Sequence, residues 1–318
     1  MTEESSPSTD SQSAESWPYF LGLPFWGHKT WAGDFYRPKV KAADHLRQYA
    51  QVFNTVEGNT TFYSLPGPET VERWQDSVPD TFRFSFKLPR WISHELQLQN
   101  AEEQSLEFFE RLAPLGKRLG PFLIQLPPSF GPQKLRILDR YLGRLPQFRD
   151  CLQLDASFAV EVRHLDLCDP SAHSKHLDEI LRHHGVERCF MDTRALRSGD
   201  PTLPEVIEAS RKKPDLPMPV PALECALGPH PIIRFVGHPD AETTKPWIER
   251  WTRVLAQWIQ QGRHPYFMVH LPDNTLVPDL AAQTHASLGR RTSLPDLPIF
   301  PARRPEPEVG GRQLSLLL

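Results

Sequence analysis

Charged side chains in this chain recur one step out of phase with the apolar residues of short β-type runs, and that phase is the first chemical clue. Phe82, Phe84 and Phe86 alternate with Arg83, Ser85 and Lys87. Val160 and Val162 alternate with Glu161 and Arg163. Ile233 and Phe235 flank Arg234, with His238 of the same parity further on, and Thr55, Glu57 and Asn59 form the polar set opposite Val56. Successive side chains of a strand point to opposite faces, so an apolar set under helices leaves the polar set pointing the other way. Three further runs end in or near Gln125, Asp192 and His270. Glu57, Glu161 and Asp192 nearly cancel Lys87, Arg163 and Arg234 in charge. Burying so many ions is costly unless they pair with one another or with a ligand.

Such a set suits a carboxylate general base beside a cation. It also suits two carboxylates flanking a glycosidic bond, or cations gripping the anionic group of a phosphodiester or other small ligand. The expected catalytic residues are Glu57, Lys87, Glu161 and Asp192. The expected binding residues are Asn59, Tyr63, Gln125, Arg163, His164, Arg234, His238 and His270. The bland alternative is an ion-pair network that satisfies itself and plugs the interior. No cofactor is expected. Glu57, Glu161, Asp192, His94, His238 and His270 offer ligand types for a divalent metal, but the interleaved lysine and arginines repel one. His173, His176, His183 and His184 share one helical stretch and read as a solvated face.

These residues need a frame that brings distant strand ends together. β-type runs occur at 19–23, 53–57, 82–87, 121–126, 158–163, 188–192, 232–237 and 266–271. Helical patterns lie at 42–51, 69–77, 103–117, 133–145, 171–184, 244–261 and 279–288. Strict β-then-α alternation implies parallel strands with helical crossovers. Eight units of this size predict an α/β fold, a TIM-type (β/α)8 barrel in a single domain, with function at the C-terminal ends of its strands. An open doubly wound sheet usually carries a glycine-rich phosphate turn after its first strand, and Leu21-Gly22-Leu23-Pro24 is not one. The barrel is expected over 17–293, after a polar, disordered tail at 1–16. A proline-rich insertion at 200–231 should hold at most a short helix at 204–210, and a proline-rich linker and tail should follow at 294–318. Trp247, Trp251 and Trp258 recur with Val254 and Leu255 at helical spacing and should pack on the barrel wall.

Bulk composition sets the remaining bounds. The 318 residues carry a formal net charge of -3, so attraction to a polyanion would need a local patch. The four cysteines, Cys151, Cys168, Cys189 and Cys225, contain no CxxC pair and read as reduced thiols. The first residues lack the basic and apolar regions of a signal peptide, and no apolar run approaches the ~20 residues that span a bilayer. A cytoplasmic protein without a membrane partner is the expectation.

The same segments carry a family resemblance. Phe53-Asn54-Thr55-Val56-Glu57-Gly58-Asn59-Thr60-Thr61-Phe62-Tyr63 resembles a signature of the YecE-like proteins, domain-of-unknown-function family 72. So do Phe82 to Lys87 with Ile92-Ser93-His94, Gln125 to Phe130, Glu161-Val162-Arg163-His164 and Ile233 to Gly237. The first strand, Leu21 to Gly27, and the last, Val269 to Asn274, look like the YecE branch itself. The resemblance spans about 19–290 and implies a TIM-type barrel without implying a reaction.

The tail suggests a second class of function. Gln313-Leu314-Ser315-Leu316-Leu317 resembles the short peptide with which many bacterial DNA repair and replication proteins dock on the sliding clamp. Gln313, Leu314, Leu316 and Leu317 are the docking candidates; the alternative is a tail that packs on the barrel. Two expectations therefore stand together. One is an enzyme with a polar, charge-balanced pocket for a small polar or anionic ligand, acting as a hydrolase on a glycosidic or phosphodiester bond. The other is a nucleic-acid-associated repair module docked on the clamp.

Overall fold

The computed structural model describes residues 17–153, 156–168, 171–212 and 226–305. The polar tail at 1–16, Cys225 and the docking candidates Gln313, Leu314, Leu316 and Leu317 lie outside them.

All eight expected strands form, each four to six residues long: β1 Phe20–Leu23, β2 Thr55–Gly58, β3 Arg83–Phe86, β4 Phe122–Gln125, β5 Phe158–Glu161, β6 Glu187–Asp192, β7 Ile232–Val236 and β8 Tyr266–His270. They pair in the order β3-β2-β1-β8-β7-β6-β5-β4, and every pairing is parallel. Between β3 and β4 the ladder thins to bridges at Phe84–Leu119 and Lys87–Leu123, with Leu88 N donating to Leu123 O at 2.9 Å. The sheet thus closes into a (β/α)8 barrel, in one domain.

The crossovers carry α1 His45–Tyr49, α2 Pro68–Ser77, α3 Glu102–Leu112, α4 Leu135–Leu142, α5 Leu145–Leu152, α6 Leu165–Cys168, α7 Ala172–His183, α8 Arg194–Arg197, α9 Pro204–Lys212 and α10 Ala241–Gln260, and α11 Val277–Gly289 follows β8. The proline-rich crossover between β6 and β7 holds two helices among its described residues, α8 and α9. In α10, Trp251, Leu255 and Trp258 are buried against the barrel wall as the spacing predicted. Trp247 packs partly buried against the same core, with the Arg194 guanidinium over its ring at 4.9 Å, and donates to Ser198 Oγ.

The strand parity sorts two cores. The outer set, including Leu21, Val56, Phe84, Phe86, Val160, Ile233, Phe235 and Phe267, packs under the helices. Each such side chain contributes about 1.5–3 kcal/mol by leaving water. The inner set is stratified. Its lower level is mainly apolar: Phe20, Leu123, Ala159, Cys189, Ile232, Tyr266 and Met268. Gly22 belongs to this inner face, where a β-carbon would stand 2.5 Å from the Thr55 carbonyl oxygen, so β1 and β2 approach closely only because it is glycine. Above this plug lies the charged level.

Candidate functional site

Three strands meet at one guanidinium, and a fourth joins through Glu57. Arg234 of β7 meets Glu57 of β2 through Nε and Nη2, each at 2.7 Å, and reaches Glu161 of β5 through Nη1 at 2.6 Å. His270 of β8 stands 3.2 Å from Glu57 Oε2 through Nε2. Since an ionised carboxylate only accepts, that nitrogen carries the proton. Just beyond β5, Arg163 donates from Nε to Glu161 Oε1 at 2.7 Å and from Nη2 to Gln125 Oε1 at 3.2 Å. Met191 Sδ lies 3.7 Å from the same Nη2. The ring is sealed: Glu57 and Glu161 are each 1% exposed and Arg234 is 4% exposed.

Lys87, just past β3, differs from the other members. Its ammonium lies 3.7 Å from Glu57 Oε1 and over the Phe62 ring at 5.6 Å, with no hydrogen-bond partner among the described residues. Phe62 ends the 3-10 turn Asn59–Phe62 that follows β2.

Position sets the ionisation of each group. Burial pushes Glu161 up, but Arg163, Arg234 and Lys87 together outweigh it and hold the carboxyl at about 2. Burial likewise opposes ionisation of Glu57, and Arg234, His270 and Lys87 hold it well below the usual carboxylate range. Burial, then the neighbouring Arg234, brings Lys87 down to about 8, against the pull of Glu57 and Glu161. The Cys189 thiol, 3.9 Å from Glu161 Oε2, is pushed well above its ordinary value by burial and is inert as a nucleophile.

The structure brings together Glu57, Lys87, Gln125, Glu161, Arg163, Arg234 and His270. It places the other candidates elsewhere. Asp192 is on the outer face of β6, where Oδ2 accepts from Trp251 Nε1 at 2.7 Å and from Arg194 Nη2 at 2.8 Å, and Oδ1 from Arg194 Nε at 2.8 Å. Its neighbours Cys189 and Met191 take the inner parity. Without Asp192 the ring is not charge-balanced: two carboxylates face three cations, Lys87, Arg163 and Arg234.

His238 lies two residues past the end of β7 and does not join the ring. The His238 Nδ1 accepts from Asp240 N at 3.0 Å, and the His238 backbone exchanges bonds with Thr244 Oγ1. His164 turns outward beside His173 and His176 in a separate groove. Asn59 donates to Pro24 O at 2.9 Å and fixes the loop after β1. Tyr63 is 76% exposed on the rim, its ring edge-on to Phe62. The six candidate metal donors therefore do not converge, and no group of three or more histidine, cysteine or carboxylate side chains among the described residues is arranged to hold a metal ion.

Phe62, Cys189 and Met191 join the site without being expected there, although Phe62 lies inside a motif, and His94 was expected only as a candidate metal donor. A cleft of about 500 Å3 at the opposite end of the barrel, around Trp17, Phe20, Phe82 and Arg83, is walled mainly by apolar groups. The ionisable chemistry lies at the C-terminal end. No helix among the described residues is long and apolar enough to cross a membrane.

Comparison with known proteins agrees with this frame. The family model described as a protein of unknown function, DUF72, matches residues 20–305. UPF0759 protein YecE of Escherichia coli (strain K12) is 36% identical over 283 residues, 89% of this chain and 96% of that protein. A solved DUF72 family protein from Thermotoga maritima MSB8 superposes with a TM-score of 0.62 at 21% identity, covering 85% of this chain and 98% of that one. Another, from Enterococcus faecalis V583, gives 0.60 at 20% identity over 88% and 98%. The two structures speak for the barrel, while the family model and the sequence identity speak for kinship. With eight parallel strands, the ordered motifs and a match over nearly its whole described length, the chain belongs to the DUF72 family.

Proposed function

We propose that the barrel mouth is the active site of an enzyme acting on a small polar molecule with an anionic group, a phosphate ester being the form the cations suit best. The surplus positive charge carries this reading. Arg234 is consumed by two carboxylates, whereas Lys87 at the rim has only a loose ion pair and Arg163 is partly open. A phosphate oxygen spanning those two would complete the pairing that the protein leaves unfinished.

The glycosidic branch of the hydrolase expectation loses support. That chemistry needs one carboxylic acid with a raised pKa, and both carboxylates here are held ionised and engaged. The phosphodiester branch keeps its support from Lys87 and Arg163. Inorganic phosphate is the simplest probe. It should raise the melting temperature of the wild-type protein and leave Lys87→Met unmoved, since a ligand that binds only the native state stabilises it. Equal shifts in both proteins would overturn the assignment. Release of nitrophenol from a nitrophenyl phosphodiester then tests turnover.

Clamp docking stays as a second proposal, supported by the tail pentapeptide Gln313 to Leu317. A cytoplasmic location fits the cysteine usage and is proposed on that ground.

A further inference from the structure

Lys87 is followed by a π-helical turn, Trp91–Glu95, that carries His94 to the mouth. Turns of this kind occur often at functional positions. His94 is half-buried, with its ring edge-on to Phe62 at 5.0 Å, the same ring that underlies the Lys87 ammonium. Its Nδ1 lies 3.0 Å from Ser93 Oγ.

The tautomer follows from the hydrogen-bond arithmetic. Ser93 Oγ is also 2.9 Å from Pro89 O, and a carbonyl oxygen only accepts. The single hydroxyl proton is therefore spent on Pro89, so toward His94 the Ser93 oxygen acts as acceptor. Nδ1 carries the imidazole proton and Nε2 keeps its lone pair. No hydrogen bond engages Nε2 among the described residues.

The loop beyond the turn is costly to hold. Gln97, Leu98 and Asn100 have φ of 50°, 65° and 49°, the left-handed region that non-glycine residues avoid. It is pinned by the buried Leu98 and by bonds from Lys134 to Gln97 Oε1 and to Ser129 O. Strain of this sort persists where a geometry is over-determined.

We propose that Nε2 of His94 is the proton acceptor of the mouth, taking a proton from a water or hydroxyl held against an anionic ligand on Lys87 and Arg163. The O–H bond breaks, the proton passes to Nε2 to form an imidazolium, and the electron pair stays on the oxygen facing the two cations. This rests on the anion-site reading above.

Electrostatics makes the acceptor conditional on its ligand. Burial first, then Arg163, Arg90 and Lys87, push His94 down to about 4, with Glu161 opposing them. Arg90 is itself shared with Glu95 at 3.3 Å. An anion bound on Lys87 and Arg163 offsets that field and raises the basicity of His94 only when the site is filled. An opposite charge within about 4–6 Å typically moves such a group by one to three pH units.

The test is NMR of the full chain, with labelled histidine and arginine side chains, titrated with inorganic phosphate. The expected result is an Nδ1–H tautomer in the free protein, with the His94 midpoint rising by about one pH unit or more at saturating phosphate. Ser93→Ala should lose the tautomer preference and Ser93→Thr should restore it. If phosphate shifts the Arg163 signals but His94 is Nε2–H, or its midpoint stays in place, the proton-acceptor role is overturned and the anion site stands. If phosphate shifts neither, the anion site itself fails and the role of His94 falls with it.

Discussion

Arg234 grips Glu57 through two parallel hydrogen bonds, Nε to Oε2 and Nη2 to Oε1, each 2.7 Å long. The two residues are 177 positions apart, and the third arm of the same guanidinium holds Glu161. We expect Arg234→Met to strand two buried carboxylates and cost about 3–5 kcal/mol in urea unfolding. Arg234→Lys should also destabilise, because a point charge cannot replace the fork on both partners. A change below 1 kcal/mol in both variants would mean the network is not a structural keystone.

The acid limb of stability should follow the same network. Glu161 is held at about 2 in the fold and Glu57 well below 4.5. A depressed carboxyl contributes stability that is present above the unfolded pKa near 4.5 and lost as pH falls through the folded value. Urea midpoints measured from pH 5 down to pH 2 should therefore drop steadily. Glu161→Gln, less stable at pH 7, should show a shallower drop.

Lys87 has the opposite sign of cost. Its folded pKa of about 8 lies below the ordinary 10.5, so the unfolded chain binds more protons between those values and stability rises with pH across them. At pH 7 the buried ammonium carries a cost on the order of 3 kcal/mol. Lys87→Met should raise the melting temperature by about 2–4 °C for each kcal/mol regained, flatten the rise between pH 8 and 10.5, and lose phosphate binding. A strong loss of stability on this substitution would make Lys87 part of the scaffold.

Asp192 separates wall from site. Asp192→Ala leaves Trp251 Nε1 and Arg194 without their acceptor and should cost about 1–3 kcal/mol. Its phosphate affinity should stay within about twofold of wild type, about 0.4 kcal/mol at most. A tenfold loss of affinity would return Asp192 to the mouth.

Removal of 313–318 tests the second proposal. Binding to a purified sliding clamp, measured by calorimetry, should vanish in the truncated chain while the melting temperature is unchanged. A fall of several degrees would make the tail part of the barrel instead.

Much of this site is legible in the sequence wherever a strand has one clean apolar parity. Phe82, Phe84 and Phe86 leave Lys87 no choice of face, and Val160 with Val162 and the Ile233–Phe235 pair of β7 do the same for Glu161 and Arg234. β6 offers no such guide. All six of its residues, Glu187 to Asp192, are buried, and Arg188 and Asp192 find partners under the outer helices while Cys189 faces the inner apolar level and Met191 faces Arg163. His238 escaped for a different reason, since it lies two residues past the end of β7, where strand parity no longer governs.

By itself, then, the sequence determined the barrel, the end at which charge gathers, and the inner face for strands whose period-two pattern has one greasy side. Only the tertiary structure decided which charges meet. Ion pairs such as Glu57–Arg234 join residues far apart in the chain, and a proton's affinity depends on every charge within a few ångströms. That is why the ring, which balances when its residues are merely counted, holds a lysine with only a loose ion pair once they are placed in space.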